Sequence, residues 1–176
     1  KHKNSHRSVS QTVLDIDPTA YIPMLETAEI VSDRYGISRE AQDVYSLQSQ
    51  QRVAAAQQAG LFADEIVPFA ASMSVFNRET KETSFKDVLL NSDECNRPTT
   101  TLESLSSLDP VFKDGQWVKQ GRFITAGNAS QLSDGASACV VMDRKLAEQK
   151  GLSPLGLYRG MAVAGCKADE MGIGPV

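Results

Sequence analysis

The stretch Thr-Ala-Gly-Asn-Ala-Ser-Gln-Leu-Ser-Asp-Gly at residues 125–135 does more than any other to limit what this chain can become. It runs directly into the apolar Ala-Ser-Ala-Cys-Val-Val-Met at residues 136–142. Gly127, flanked by Ala126, Ala129 and Ser130, leaves the main chain open to close approach by another group. Asn128, Ser130, Ser133 and Asp134 are short polar side chains that can satisfy exposed amides and carbonyls. Two outcomes fit this pattern. One is a tight loop entering a buried strand, and the other is a backbone cradle for a ligand.

The residues before it are organised by periodicity and by punctuation. A helix is expected from about 23 to 35, with Pro23 at its start, Gly36 past its end, and Met24, Ala28, Val31 and Tyr35 on one face. Ser38 can cap a longer helix over 39–59 that Gly60 closes. Ala41, Val44, Leu47 and Ala55 would form its apolar side, while Gln48, Gln51 and Gln58 face water. The two helices would lie antiparallel. Residues 13–18 read as an irregular or short extended entry, and Ile66-Val67-Pro68 as a short edge strand or extended segment. Residues 73–76 and 83–89, around a charged turn at 77–81, read as a hairpin. Thr99, Thr100 and Thr101 can cap a short helix over 102–108 that Pro110 ends.

Beyond Gly121 the texture changes. Residues 136–142 have the nearly continuous apolar character of a strand buried on both faces, with Cys139 as a small core residue. A helix over 143–150, stopped by Gly151, and a second strand over 155–163 follow. Strand, helix and strand at this spacing mark the edge of a layered α/β structure.

Composition excludes several classes. The chain has 176 residues, and its 41% apolar content is enough for a core. No apolar run approaches the length of a membrane span, and the polar opening at residues 1–10 lacks the apolar region of a secretory leader. The glycine-rich ending at residues 171–176 reads as a loop cut short, so a longer chain is expected. A net charge of −4 argues against a nucleic-acid partner. Cys95, Cys139 and Cys166 are odd in number and widely spaced, which fits a reducing compartment, in the first place the cytoplasm.

The candidate nucleophiles lack partners. His2 and His6 both lie in the basic opening at residues 1–7, expected to be a solvated tail, so the body of the chain has no histidine to act as a base. Cys95 neighbours Glu94, whose charge opposes thiolate formation, and Cys166 has no adjacent base. Ser130 and Ser133 lack a histidine partner, and neither a P-loop nor a dinucleotide fingerprint is present. Taken alone, the chain binds or completes something without carrying a full active site.

Several phrases, in order, resemble the thiolases, the acyl-CoA C-acyltransferases. Met24-Leu25-Glu26-Thr27-Ala28-Glu29 is similar to the family's Met-Gly-x-Thr-Ala-Glu. Tyr35-Gly36-Ile37-Ser38-Arg39-Glu40, Gln42-Asp43 and Ser49-Gln50 look like the paired helices that follow. Asp64-Glu65-Ile66-Val67-Pro68, then Arg97-Pro98, Thr101-Leu102-Glu103 and Leu108-Asp109-Pro110-Val111-Phe112, match further phrases. The run at residues 125–136 is the most specific match, and Met171-Gly172-Ile173-Gly174-Pro175 closes the series.

The resemblance implies a layered αβαβα fold, with residues 1–120 as most of the lid or loop domain, 121–152 as the end of the N-terminal half and 153–176 as the start of the C-terminal half. It implies cleavage of 3-ketoacyl-CoA by coenzyme A, or the reverse condensation, through an acyl-cysteine, in fatty acid and lipid metabolism. The family's nucleophilic cysteine would lie before Lys1, and its Asn-Glu-Ala-Phe, Gly-His-Pro and Cys-Gly-Gly-Gly motifs after Val176, so no residue here is assigned a catalytic role. What the segment would supply is the coenzyme A site. Arg97 matches a contact to the nucleotide, Ser104 and Leu108 match the short helix beside it, and Phe112 lines the pantetheine channel. Ala126 and Ser130 match the loop along the pantetheine, and Met24 and Met171 match apolar positions near the reactive end. The resemblance further implies no prosthetic group and no metal, acyl-CoA and coenzyme A as partners, and a homodimer or homotetramer. Leu25 stands where the family usually has glycine, and Pro23 where some biosynthetic members have histidine. A degradative 3-ketoacyl-CoA thiolase is therefore preferred to an acetoacetyl-CoA enzyme. The competing expectation is a non-catalytic, thiolase-derived module that binds acyl-CoA or a protein partner.

Overall fold

A computed structural model describes residues 8–176. The expected basic tail, with His2 and His6, lies outside the described residues. The elements in chain order are helices α1 (Gln11–Ile16), α2 (Met24–Arg34) and α3 (Arg39–Gln58), strands β1 (Phe69–Phe76) and β2 (Thr83–Leu90), helices α4 (Leu102–Ser106) and α5 (Arg144–Gln149), and a 3-10 helix (Ala168–Ile173). The described chain is thus mixed helix and strand, in keeping with an α/β class.

Local sequence explains where most elements start and stop. Pro23 precedes α2 in an extended conformation, and Gly36 follows it at φ +63°, a left-handed position where glycine carries no Cβ penalty. The Ser38 side chain accepts the Ala41 amide at the start of α3. Thr101 and Ser104 exchange side-chain and backbone bonds around the first turn of α4, a complete capping box. Asp143 accepts the Lys145 amide and starts α5. β1 and β2 pair antiparallel from Phe69 opposite Leu90 to Phe76 opposite Thr83. Their turn is held by Asn77, whose Oδ1 accepts the amides of Glu79 and Thr80.

The core is polar at its centre. Its buried apolar residues are Leu105, Phe112, Ile124 and Ala147, and beside them are buried Glu26, Thr27, Glu29, Ser32, Asp43 and Thr125. The expected face of α2 is only half covered. Met24 is 70% exposed and Tyr35 is also exposed, Ala28 and Val31 are half-buried, and the fully buried positions are the polar Glu26, Thr27, Glu29 and Ser32. The reason is the loop that crosses the helix. Residues 117–124 present main-chain amides that need acceptors, and the carboxylates of α2 provide them. Similarly, Val44, Ala41 and Ala55 of α3 remain exposed and Leu47 is half-buried, whereas Asp43 is its one buried residue. Gln48, Gln51 and Gln58 face solvent as expected.

Four other expectations are corrected. Residues 13–16 are helical, within α1, and not extended. Ile66, Val67 and Pro68 are irregular, with the strand beginning only at Phe69. Residues 136–142 and 155–163 form no strand, and Val140 and Val141 are 83% and 84% exposed. Cys139 is exposed with them rather than part of a core. An apolar run becomes a strand only when a neighbour takes its N–H and C=O groups. Among the described residues no segment pairs with either run.

Candidate functional site

The site grows from two buried carboxylates of α2. Glu26, 0% exposed, accepts the amides of Trp117 at 2.5 Å and Val118 at 2.9 Å through Oε1. Burial pushes its pKa up, but the amides of Val118, Trp117 and Gln116 outweigh that and hold the carboxyl below the usual glutamate range. Glu29, 2% exposed, accepts three successive amides, from Arg122 at 2.9 Å, Phe123 at 3.1 Å and Ile124 at 2.8 Å. The loop is threaded tightly between them. A Cβ on Gly115 would lie 2.6 Å from Glu26 Oε1 and from the Phe112 ring, and one on Gly121 only 2.8 Å from Glu29 Oε1. These contacts deliver the chain to Thr125 in a fixed position.

There the small-residue stretch folds into a closed turn. Asn128 Oδ1 accepts the Thr125 amide at 2.8 Å, and Thr125 Oγ1 accepts the amides of Gly127 and Asn128 at 3.2 and 3.3 Å. Asn128 Nδ2 donates to the Phe123 carbonyl at 2.9 Å. Gly127 is pressed against α4: a Cβ there would lie 2.5 Å from Leu105 Cδ2 and 2.7 Å from Leu108 Cδ1. A close approach, and not an unusual φ, is what requires glycine here.

Between this turn, α3, α4 and residues 95–100 lies a cavity of about 830 Å³, inside the range of small-molecule sites. Arg97, Ser104, Leu108, Ala126 and Ser130, five of the residues assigned to the coenzyme A site, line it together. Met24, Phe112 and Met171 do not. Phe112 is buried beneath the loop, where its carbonyl accepts the Gly121 amide. Met24 and Met171 are exposed on α2 and the 3-10 helix, two elements that pack against each other through Arg34 with Asp169 and Glu170.

Arg97 is the one charged residue lining the cavity, and its guanidinium makes no ion pair among the described residues. Its backbone is nonetheless fixed. The Arg97 amide donates to Gln50 Oε1 at 2.8 Å, and its carbonyl accepts the Thr100 hydroxyl at 2.8 Å. Asn96 is tied to the same helix by Gln57 at 3.0 Å. Hydroxyls and amides supply most of the remaining wall, including Tyr45, Ser46, Ser49 and Gln50. The result is an open cleft of mixed polar and apolar lining with one unpaired positive charge, suited to an anionic ligand that also carries apolar and hydrogen-bonding groups.

Sequence reasoning missed the residues that hold this wall. Gln50 and Gln57 stand seven apart on α3 and so share a face, but the outward Gln51 and Gln58 do too, so no spacing signal separates them. Arg39 and Asp43 show the i, i+4 spacing of a helix ion pair, an ordinary surface pattern until burial is known.

Comparison with known proteins gives the family and the fold. Residues 2–145 match the family model described as thiolase, N-terminal domain. The chain is 41% identical over 175 residues to mouse 3-ketoacyl-CoA thiolase B, peroxisomal, covering 98% of this chain and 39% of that protein. It superposes on the crystal structure of Bacillus anthracis acetyl-CoA acetyltransferase with a TM-score of 0.70 and 38% identity, over 93% of this chain and 38% of the other. It also superposes on human mitochondrial 3-ketoacyl-CoA thiolase in complex with CoA, with a TM-score of 0.65 and 38% identity, over 90% of this chain and 35% of that one. The chain therefore has a thiolase-like α/β fold and spans about two fifths of the length of the relatives it matches. Among the described residues no helix is long and apolar enough to cross a membrane.

Proposed function

The chain belongs to the thiolase family, and from that premise we propose that the protein is an acyl-CoA C-acyltransferase to which these residues contribute the lid and the coenzyme A site. It would cleave 3-ketoacyl-CoA with coenzyme A, or run the reverse condensation, through an acyl-cysteine. The acylated cysteine belongs, on this reading, to sequence outside residues 1–176. Within it, residues 1–120 are assigned to the lid, 121–152 to the end of the N-terminal half and 153–176 to the start of the C-terminal half.

The observation that carries the reading is the meeting of Arg97, Ser104, Leu108, Ala126 and Ser130 around one cavity. Coenzyme A combines a phosphate-rich nucleotide with a pantetheine arm bearing amides. An unpaired guanidinium suits the phosphates, and the Ser130 hydroxyl beside the small side chains of Ala126 and Ala129 suits the arm. Phe112 supports the loop from beneath, and Met24 and Met171 are assigned to the apolar wall near the reactive end. A homodimer or homotetramer is part of the same reading. The cytoplasm is the first assignment for location. The peroxisome is the alternative, because the mouse relative carries that compartment in its name.

Ser130→Trp in the full chain tests the site. The indole is expected to fill the cavity and abolish coenzyme A binding in calorimetric titration, with the circular dichroism spectrum unchanged. Undiminished binding by a folded Ser130→Trp protein would remove the assignment. A thiolysis assay of the unmodified full chain separates the enzyme from a non-catalytic binding module.

A further inference from the structure

Two adjoining walls of the cavity, α4 and the turn at residues 125–130, are both held by one buried carboxylate that does not line it. Asp43 is 1% exposed and takes Arg39 Nε at 2.9 and 2.8 Å. Arg39 Nη2 donates in turn to the Leu105 carbonyl at 2.6 Å, near the end of α4. On its other side, Asp43 Oδ1 lies 3.4 Å from Asn128 Nδ2, whose amide closes the turn through the Thr125 amide and the Phe123 carbonyl. Neither Arg39 nor Asp43 lines the cavity, while Ser104, Leu105 and Leu108 in one wall and residues 126–131 in the other do. An ion pair with a buried carboxylate and further hydrogen bonds on both partners is restricted in its arrangement, so it can fix the placement of what it joins.

We propose that Asp43, through Arg39 and Asn128, is a positioning residue that fixes two adjoining walls of the ligand cavity and thereby the affinity for coenzyme A. The proposal rests on the coenzyme A reading given above. Both Asp43 oxygens accept from Arg39 Nε, so asparagine at position 43 keeps the shape but sets an N–H₂ against the Arg39 guanidinium in either orientation, and the Arg39 arm must loosen. In the full-length protein, Asp43→Asn is expected to raise the KM for coenzyme A on the order of tenfold with kcat changed by less than about twofold. Asp17→Asn serves as the comparison, because Asp17 is a hydrogen-bonded carboxylate, accepting the Thr19 amide at 2.8 Å, that does not line the cavity. It is expected to lower the melting temperature without moving that KM. Arg39→Lys keeps the charge but lacks the fork that spans Asp43 and Leu105, and it carries the same test should Asp43→Asn fail to fold.

An unchanged KM in the folded Asp43→Asn or Arg39→Lys protein overturns the proposal, as does an equal rise in Asp17→Asn. A wild-type protein that does not bind coenzyme A in direct titration overturns the underlying reading together with it. Wild-type binding with a KM indifferent to position 43 overturns the positioning role alone.

Discussion

The helical unit of α2, α3, α4 and the loop at residues 111–129 differs from residues 130–163 in where its hydrogen-bonding partners lie. In the first, the amides of the crossing loop are answered by carboxylates from the same chain, often more than ninety residues away. In the second, every residue from 130 to 141 is exposed, and the apolar runs on either side of α5 pair with nothing among the described residues. The apolar-rich region is thus the open one, and the region built on charged side chains is the closed one. Hydrophobicity supplies a driving force but no particular partner, whereas a buried carboxylate is costly unless a defined set of donors surrounds it. Polar satisfaction, more than apolar content, decides which part of this chain is organised by its own residues.

The sharpest way to break that contrast is Glu29→Ala. It would leave the amides of Arg122, Phe123 and Ile124 without acceptors in a closed space. The expected cost is about 3–5 kcal/mol, as for removing one partner of a buried charged group. Urea denaturation of the chain followed by circular dichroism reads it directly. A loss below about 1 kcal/mol would mean that the carboxylate does not organise the loop.

A smaller effect is expected from acid. The lowered pKa of Glu26 means that the unfolded chain takes up the proton first as pH falls. The stabilisation is fully present above the ordinary glutamate value of 4.5 and is lost as pH drops through the lower, folded value. Denaturation midpoints measured from pH 7 downward should therefore hold steady and then decline below that value. In Glu26→Gln the decline should be shallower, because the titrating group is gone. An equally steep decline would assign the acid lability to other carboxylates.

Legibility in the sequence follows the same division. Caps and stops were readable because they are local: Ser38, Thr101 and Asp143 bond to amides within three residues, and Gly36 needs only its own φ. The hairpin was readable from alternation around a turn, and both strands are present. The cavity-lining set at Arg97, Ser104, Leu108, Ala126 and Ser130 was legible through resemblance, since no spacing rule joins Arg97 to Ser130. What was not legible is long-range and polar. Glu26 and Glu29 sit on α2 like ordinary solvated charges, and only the loop at residues 117–124 makes that face the inside one. The expected strands at 136–142 and 155–163 failed for the converse reason: a pattern can name a strand but cannot supply its neighbour.

The smallest expected effect tests the open half of the contrast. Val141 is 84% exposed, so replacing it by serine removes little apolar surface from a buried site in this chain. Val141→Ser should change the unfolding free energy by less than about 0.5 kcal/mol, as for surface substitutions generally. Were residues 136–142 a buried strand within these 176 residues, the same change would remove a buried side chain worth roughly 1.5–3 kcal/mol and leave a hydroxyl needing a partner. The two outcomes are well separated by one pair of denaturation curves. Repeating the measurement in a longer form of the protein sharpens the comparison further. A cost that stays near zero there keeps the run a solvent-facing segment, while one that rises to the buried value shows that its partner lies in sequence beyond these residues.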